Sequence, residues 1–281
     1  MSHIPPPRLV TTSHADLAVY DTGGEGVPLL LIHGNSSSHA VFRRQFQGRM
    51  APRRFIAFDL PGHGASADAH DPVRTYSRSG LAACAAELLE RLGVGEAAVL
   101  GWSLGGHVAI QMLSGFRGLR GLVLVGAPPV RPGRMADGFV ASPANGLPGR
   151  ARLSPLEMHA FASQMFGDEP EAFLLAAIAR TDPRFRPQLF EAAARGDGND
   201  QRLAVETARV PIAVVNGEGD DLIRLSYLER VRYGNLWSGR CHRLAGGHMP
   251  FWSAAEDFNA LLDGFLGDLQ DYPKRLAGAG G

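Results

Sequence analysis

One short stretch, Gly101-Trp102-Ser103-Leu104-Gly105-Gly106, restricts the architectures open to this chain more than any other. It follows an apolar run, Ala97 to Leu100, that reads as a short buried strand, and it precedes His107 to Leu113, which reads as the start of a helix. A serine on so sharp a strand-to-helix turn has its hydroxyl pushed out above the sheet edge. The backbone is then so crowded that the positions two before and two after tolerate almost no side chain, a demand that Gly101 and Gly105 meet. Alone, the pattern also suits an ordinary turn in a chain holding 35 glycines. The flanking elements decide between the two.

Those elements alternate. Arg8 to Thr12 and Asp16 to Tyr20 read as a hairpin, and Gly23-Gly24-Glu25-Gly26 as a turn. Leu29-Leu30-Leu31-Ile32 is an unbroken apolar run of the kind a strand covered on both faces requires, and it ends in His33-Gly34-Asn35-Ser36-Ser37-Ser38. A loop this small and polar lies at the strand's C-terminal end, where open parallel sheets bind ligands, and its backbone N–H groups are free to face one. Phe55 to Phe58 predicts another buried strand, closed by Asp59-Leu60-Pro61-Gly62-His63-Gly64-Ala65-Ser66. His63, between two glycines, is expected to fix that turn by hydrogen bonds rather than act as a base. Apolar residues at 81, 85, 88, 89 and 92 predict a helix from Leu81 to Leu92 with Gly93 as its stop, and Gly121 to Val125 is the strand after Ser103.

The order describes an α/β fold, a mostly parallel central sheet with helices on both faces. From about Arg131 to Arg209 no strand is evident, while Leu156 to Phe166 and Glu171 to Ala179 predict helices. The expected organisation is therefore a core of residues 1–130 and 210–281 with a helical cap inserted at 131–209. Met158, Phe161, Met165 and Phe166 share one face of that cap, as its own core or in part as the roof of a pocket for an apolar substrate chain. The sheet resumes at Val210 to Val215, followed by Asn216-Gly217-Glu218-Gly219-Asp220-Asp221. A helix from Ser226 to Tyr233, a strand from His242 to Leu244, the loop Gly246-Gly247-His248-Met249-Pro250-Phe251 and a helix from Ala254 to Leu269 complete it. The tail from Leu276 is expected to fray.

Composition removes several functions. Lys plus Arg number 28 against 28 Asp plus Glu, so charge implies no nucleic-acid partner. Met1 to Arg8 lacks the apolar core of a signal peptide, no run approaches a membrane span, and the two cysteines, Cys84 and Cys241, fit a reducing compartment. A soluble, cytoplasmic protein is expected, with no membrane partner and no defined oligomeric state. Cys84, among alanines, reads as a small buried side chain. No nucleotide-binding glycine pattern occupies the first strand-to-helix turn, and neither cofactor nor metal is expected.

A serine hydroxyl needs a base at neutral pH, and the base needs an anion that holds its tautomer. Of ten histidines, His248 lies in a small-residue loop after the last strand, and Asp220 follows the long strand before it. Glu218 and Asp221 are rivals; Asp220 is preferred because it sits at the turn itself. The expected oxyanion donors are the backbone N–H groups of Leu104, just after the serine, and of Asn35.

Together His33-Gly34-Asn35, Asp59-Leu60-Pro61-Gly62-His63-Gly64-x-Ser66, Gly101 to Gly106, Gly217-x-x-Asp220 and Gly247-His248 resemble the α/β-hydrolase superfamily over almost the whole chain. The longer runs His33 to Ser38, Asp68 to Pro72, Gly101 to His107, Pro211 to Gly217 and Tyr233-Gly234-Asn235-Leu236-Trp237 look like the α/β-hydrolase type of N-acyl-homoserine lactonase, a quorum-quenching enzyme. That resemblance implies ring opening of a homoserine lactone by Ser103, His248 and Asp220, without a metal, with the acyl tail near Trp102, Met158 and Phe161. It also implies two departures: Asp220 stands where that family carries a glutamate, and Phe161 where it carries a cap tyrosine. Other readings share the fold. A general carboxylesterase acting on short acyl esters is the main rival, and a cofactor-free haloperoxidase or a carbon–carbon bond hydrolase also keeps the serine. A dehalogenase or epoxide hydrolase would carry aspartate at position 103, and a ligand receptor on this fold would not need the intact serine, acid and base.

Overall fold

The unbroken apolar runs become strands of one sheet. In this computed structural model, which describes residues 5–47, 50, 52–141, 143–167 and 169–278 (not the side chains of 143–145 and 271–278), β1 (Arg8–Thr11) and β2 (Asp16–Asp21) form the expected hairpin. The sheet continues with β3 (Glu25–Ile32), β4 (Arg53–Phe58), β5 (Ala97–Trp102), β6 (Leu119–Val125), β7 (Ile212–Gly217) and β8 (His242–Leu244). Its eight strands run in the order β1-β2-β4-β3-β5-β6-β7-β8, antiparallel at β1/β2 and β2/β4 and parallel beyond. This is the α/β-hydrolase fold expected from the sequence.

Successive strand side chains point to opposite faces, so one run feeds two cores. Leu30 and Ile32 enter one core with Val99, Leu122 and Val214; Leu29 and Leu31 enter the other with Leu100, Val123 and Val215. Burial on both faces is why these runs are continuous and not alternating. The first core is covered by α2 (Arg78–Arg91) and α3 (Leu104–Gly115), which follow a short α1 (Pro72–Thr75). Between β6 and β7 lie α4 (Met135–Gly138), α5 (Pro155–Phe166), α6 (Ala172–Arg180), α7 (Phe185–Ala194) and α8 (Gln201–Thr207), and no strand among the described residues. After β7 come α9 (Leu225–Glu229), α10 (Pro250–Ser253) and α11 (Ala255–Gly278), whose Phe258, Leu262 and Phe265 are fully buried in the second core. Burying one such phenylalanine contributes roughly 2–3 kcal/mol.

Local chemistry moved several boundaries. The glycine turn is confined to Gly23 and Gly24, and β3 starts at Glu25, with its register shifting before Leu29. Helix α2 begins at Arg78, because the Ser77 hydroxyl accepts from the Gly80 N–H at 3.0 Å and caps it. The helix expected to reach Tyr233 stops at Glu229, and the chain beyond turns so that the Gly234 N–H donates to the Val205 carbonyl. The tail expected to fray from Leu276 stays helical to Gly278; residues 1–4 and 279–281 lie outside the described residues. Among the described residues no helix is long and apolar enough to cross a membrane.

The strand order positions the site. The chain leaves β3 for β4 on one side and returns to β5 on the other, so the C-terminal ends of β3 and β5 open a crevice at the switch point.

Candidate active site

Ser103 stands at that switch point with φ 54° and ψ −119°, a left-handed conformation that non-glycine residues rarely adopt and that costs about 1–3 kcal/mol. Its surroundings enforce it. A Cβ at Gly101 would come within 2.2 Å of the Gly105 carbonyl oxygen, and one at Gly105 within 2.0 Å of the Ile32 carbonyl oxygen. The Ser103 N–H donates to the Val125 carbonyl at 2.8 Å, tying the turn to β6. The loop after β3 closes over it, since a Cβ at Gly34 would meet the Trp102 ring at 2.9 Å and the Ser103 Cβ at 3.3 Å. Among the described residues, the backbone N–H groups of Asn35 and Leu104 have no protein acceptor, as donors aimed at a ligand require.

His248 and Asp220 meet beside this turn. The His248 Nδ1 lies 2.8 Å from Asp220 Oδ2, with both side chains buried, and Asp220 Oδ1 accepts from the Leu222 N–H at 3.0 Å. Glu218 and Asp221 are exposed, so burial and the hydrogen bond distinguish Asp220 from its two sequence rivals. The His248 ring rests on Gly126, the residue after the Val125 that holds Ser103; a Cβ there would come within 2.5 Å of the ring. Gly126, at φ 60°, is itself fixed by its N–H donating to Asn216 Oδ1 at 3.0 Å.

The structure corrects the reading of Trp102 as a substrate contact. It is fully buried, and its indole N–H donates to the His248 carbonyl at 3.0 Å, so it braces the loop that carries the base. Phe161 is nearly buried with Ala162 and Met165 in the second core, and Met158 packs half-buried against the same cluster.

Other histidines near the site are structural. His33 Nε2 accepts from the Leu60 N–H at 3.0 Å and His63 Nε2 from the Ser36 N–H at 3.2 Å, as neutral rings. Burial pushes His33 down to about 4 and His63 to about 3. Beneath them Asp59 accepts from the His39 and Ala65 N–H groups and from the His39 ring, so its carboxylate anchors both loops. Cys84 is buried as expected, and desolvation pushes its thiol up to about 12. Among the described residues no group of three or more His, Cys, Asp or Glu is placed to share a metal ion.

The helices between β6 and β7 are fastened across this edge. Arg43 pairs with Glu171 at 2.9 Å, the Tyr76 hydroxyl donates to Asp182 at 2.6 Å, and Asn35 Nδ2 donates to the Pro148 carbonyl at 3.1 Å. Sequence reasoning missed α4, α7 and α8. Asp200, whose side chain accepts from the Leu203 N–H, was the available signal for α8, while α7 starts without a side-chain cap.

Known proteins share this fold. The family model described as the alpha/beta hydrolase family matches residues 29–261. The N-acyl homoserine lactonase AidH superposes with a TM-score of 0.91 at 43% identity, as a mutant complexed with N-hexanoyl homoserine (94% of this chain, 96% of that one) and complexed with N-butanoyl homoserine (94% and 97%). The esterase RhEst1 from Rhodococcus sp. ECU1013 superposes at 0.76 with 25% identity, covering 94% of this chain and all (100%) of that one. The pimeloyl-acyl-carrier-protein methyl ester esterase of Nitrosomonas europaea is 28% identical over 269 residues, 86% of this chain and 97% of that one.

Proposed function

This chain belongs to the α/β hydrolase family and is a hydrolase, and from that premise we propose that it opens the lactone ring of N-acyl-homoserine lactones with Ser103 as nucleophile, His248 as base and Asp220 as the orienting acid. The observation that carries the chemistry is the buried 2.8 Å contact of His248 with Asp220 beside a strained, partly exposed Ser103. The similarity to the AidH lactonase across nearly the whole chain supports the substrate class.

In the proposed reaction Ser103 Oγ attacks the ring carbonyl and its proton passes to His248. The Leu104 and Asn35 N–H groups hold the resulting oxyanion, each donor being worth about 3–4 kcal/mol. The ring C–O bond then breaks, and His248 protonates the departing oxygen, which stays tethered as the homoserine alcohol. Water, deprotonated by His248, attacks the acyl-enzyme, and the Ser103 C–O bond breaks as His248 returns that proton to Ser103 Oγ, releasing the open N-acylhomoserine. Asp220 keeps the Nδ1 proton on the ring throughout. The helical insertion serves as a cap, with Phe161 and Met158 against the acyl tail.

Similarity to two esterases supports a second reading, a general carboxylesterase using the same residues. Proton release followed by pH-stat separates them, with short and long N-acyl-homoserine lactones tested beside a p-nitrophenyl ester and Ser103→Ala as control. Faster, Ser103-dependent opening of the lactones is the expected result; ester cleavage with inert lactones would leave only the esterase.

A further inference from the structure

The helical insertion buries a cation that this chemistry does not use. Arg186, in the first turn of α7, is 2% exposed, and desolvation lowers its pKa with no charged partner to offset it. All of its bonds go to neutral oxygens: Nε donates to Ser36 Oγ at 2.7 Å, Nη1 to the Arg150 and Ala151 carbonyls at 3.2 and 3.1 Å, and Nη2 to the Ile178 carbonyl at 2.9 Å. The Ile178 carbonyl belongs to the last turn of α6, whose negative end favours a cation. That contact alone would account for a structural helix cap. The bond to Ser36 reaches further, into the loop after β3.

Ser36 is held at φ 56°, and its hydroxyl donates to Asn35 Oδ1 at 2.9 Å while Asn35 Nδ2 donates to the Pro148 carbonyl. A guanidinium has no lone pair, so its donation to Ser36 forces the serine proton toward Asn35. The direction of each bond along Arg186, Ser36, Asn35 and Pro148 is thereby fixed, and each polarises the next. Because Arg186 also grips Arg150 and Ala151, just past Pro148, the network closes on itself around the Asn35 backbone.

We propose that Arg186 is a positioning residue for hydrolysis: through Ser36 it locks Asn35, so that the Asn35 N–H meets the oxyanion without reorganisation. The proposal rests on the reading of Asn35 as an oxyanion donor. A preorganised donor is worth more than one that must be oriented during the reaction, so loosening it lowers turnover and leaves ground-state binding alone.

The test compares wild type, Arg186→Met, Ser36→Ala and the double variant in p-nitrophenyl butyrate hydrolysis and in binding of an aryl trifluoromethyl ketone. The Ser103 oxygen adds to the ketone carbon, its proton passes to His248, and the ketone oxygen becomes an oxyanion in the same hole. Each single variant is expected to lower kcat about tenfold or more, with KM within about twofold and ketone affinity falling in parallel. The double variant is expected to lose little beyond either single one. Should Arg186→Met fail to fold, Ser36→Ala, which keeps the Cβ and deletes only the relay oxygen, carries the test. Unchanged kcat and ketone affinity, or a loss confined to KM or melting temperature, would overturn the proposal. A wild type that hydrolyses the ester yet does not bind the ketone would instead remove the oxyanion-hole reading, and this proposal with it.

Discussion

Three residues from three loops carry the proposed chemistry, and each was legible for its own reason. Ser103 is marked by the glycines that its backbone requires, His248 by the small residues around it, and Asp220 by its place just past β7. Asp220→Asn is expected to lower kcat by about 10⁴-fold while the melting temperature stays within a few degrees, because the wrong His248 tautomer is then held in place. Glu218→Gln and Asp221→Asn should leave kcat unchanged, since both carboxylates are exposed; a near-normal rate for Asp220→Asn would transfer the acid role to one of them. Arg186 was not legible. An arginine in a helix reads as a surface residue, and only the packing of α7 against the loop after β3 reveals it as buried. Trp102 misled for the opposite reason: an indole beside a nucleophile reads as a substrate contact, whereas its N–H is committed to the His248 carbonyl.

At the level of elements, the strands were read well because burial on both faces leaves an unbroken apolar signal. The insertion was read less completely. Its helices are also held by polar contacts, Glu171 to Arg43, Asp182 to Tyr76 and Arg186 to Ser36, and such contacts leave no periodicity in a sequence. The turn between β5 and α3 has the least tolerance. Gly101→Ala and Gly105→Ala are each expected to destabilise by about 3 kcal/mol or more, because the added carbon meets backbone oxygens at 2.2 and 2.0 Å and not a movable side chain. Denaturant titration measures this directly. A loss below about 1 kcal/mol at both positions would mean that the turn is less constrained than described.

Across the whole molecule, acid acts most strongly through His33, His63 and His107, buried neutral rings lowered by desolvation to about 4, 3 and 4, with the buried His14 lowered by desolvation as well. Unfolded histidine binds a proton near pH 6.5, so their contribution to stability is complete above that pH. It is lost as pH falls toward 4, at up to about 1.4 kcal/mol per pH unit for each ring. The melting temperature should therefore drop between pH 6.5 and 4, and His107→Gln, which can still donate to Gln201 Oε1, should flatten the slope. A melting temperature constant across that interval would contradict the neutral assignment. The central claim, that Ser103 opens a lactone ring, predicts a particular covalent mass. Acid-quenched enzyme mixed with N-hexanoyl-homoserine lactone, digested and weighed by mass spectrometry, should carry the full mass of the lactone on the Ser103 peptide, because the leaving alcohol remains attached to the acyl group. A hexanoyl group alone on that peptide, or the adduct on any other residue, would contradict the account.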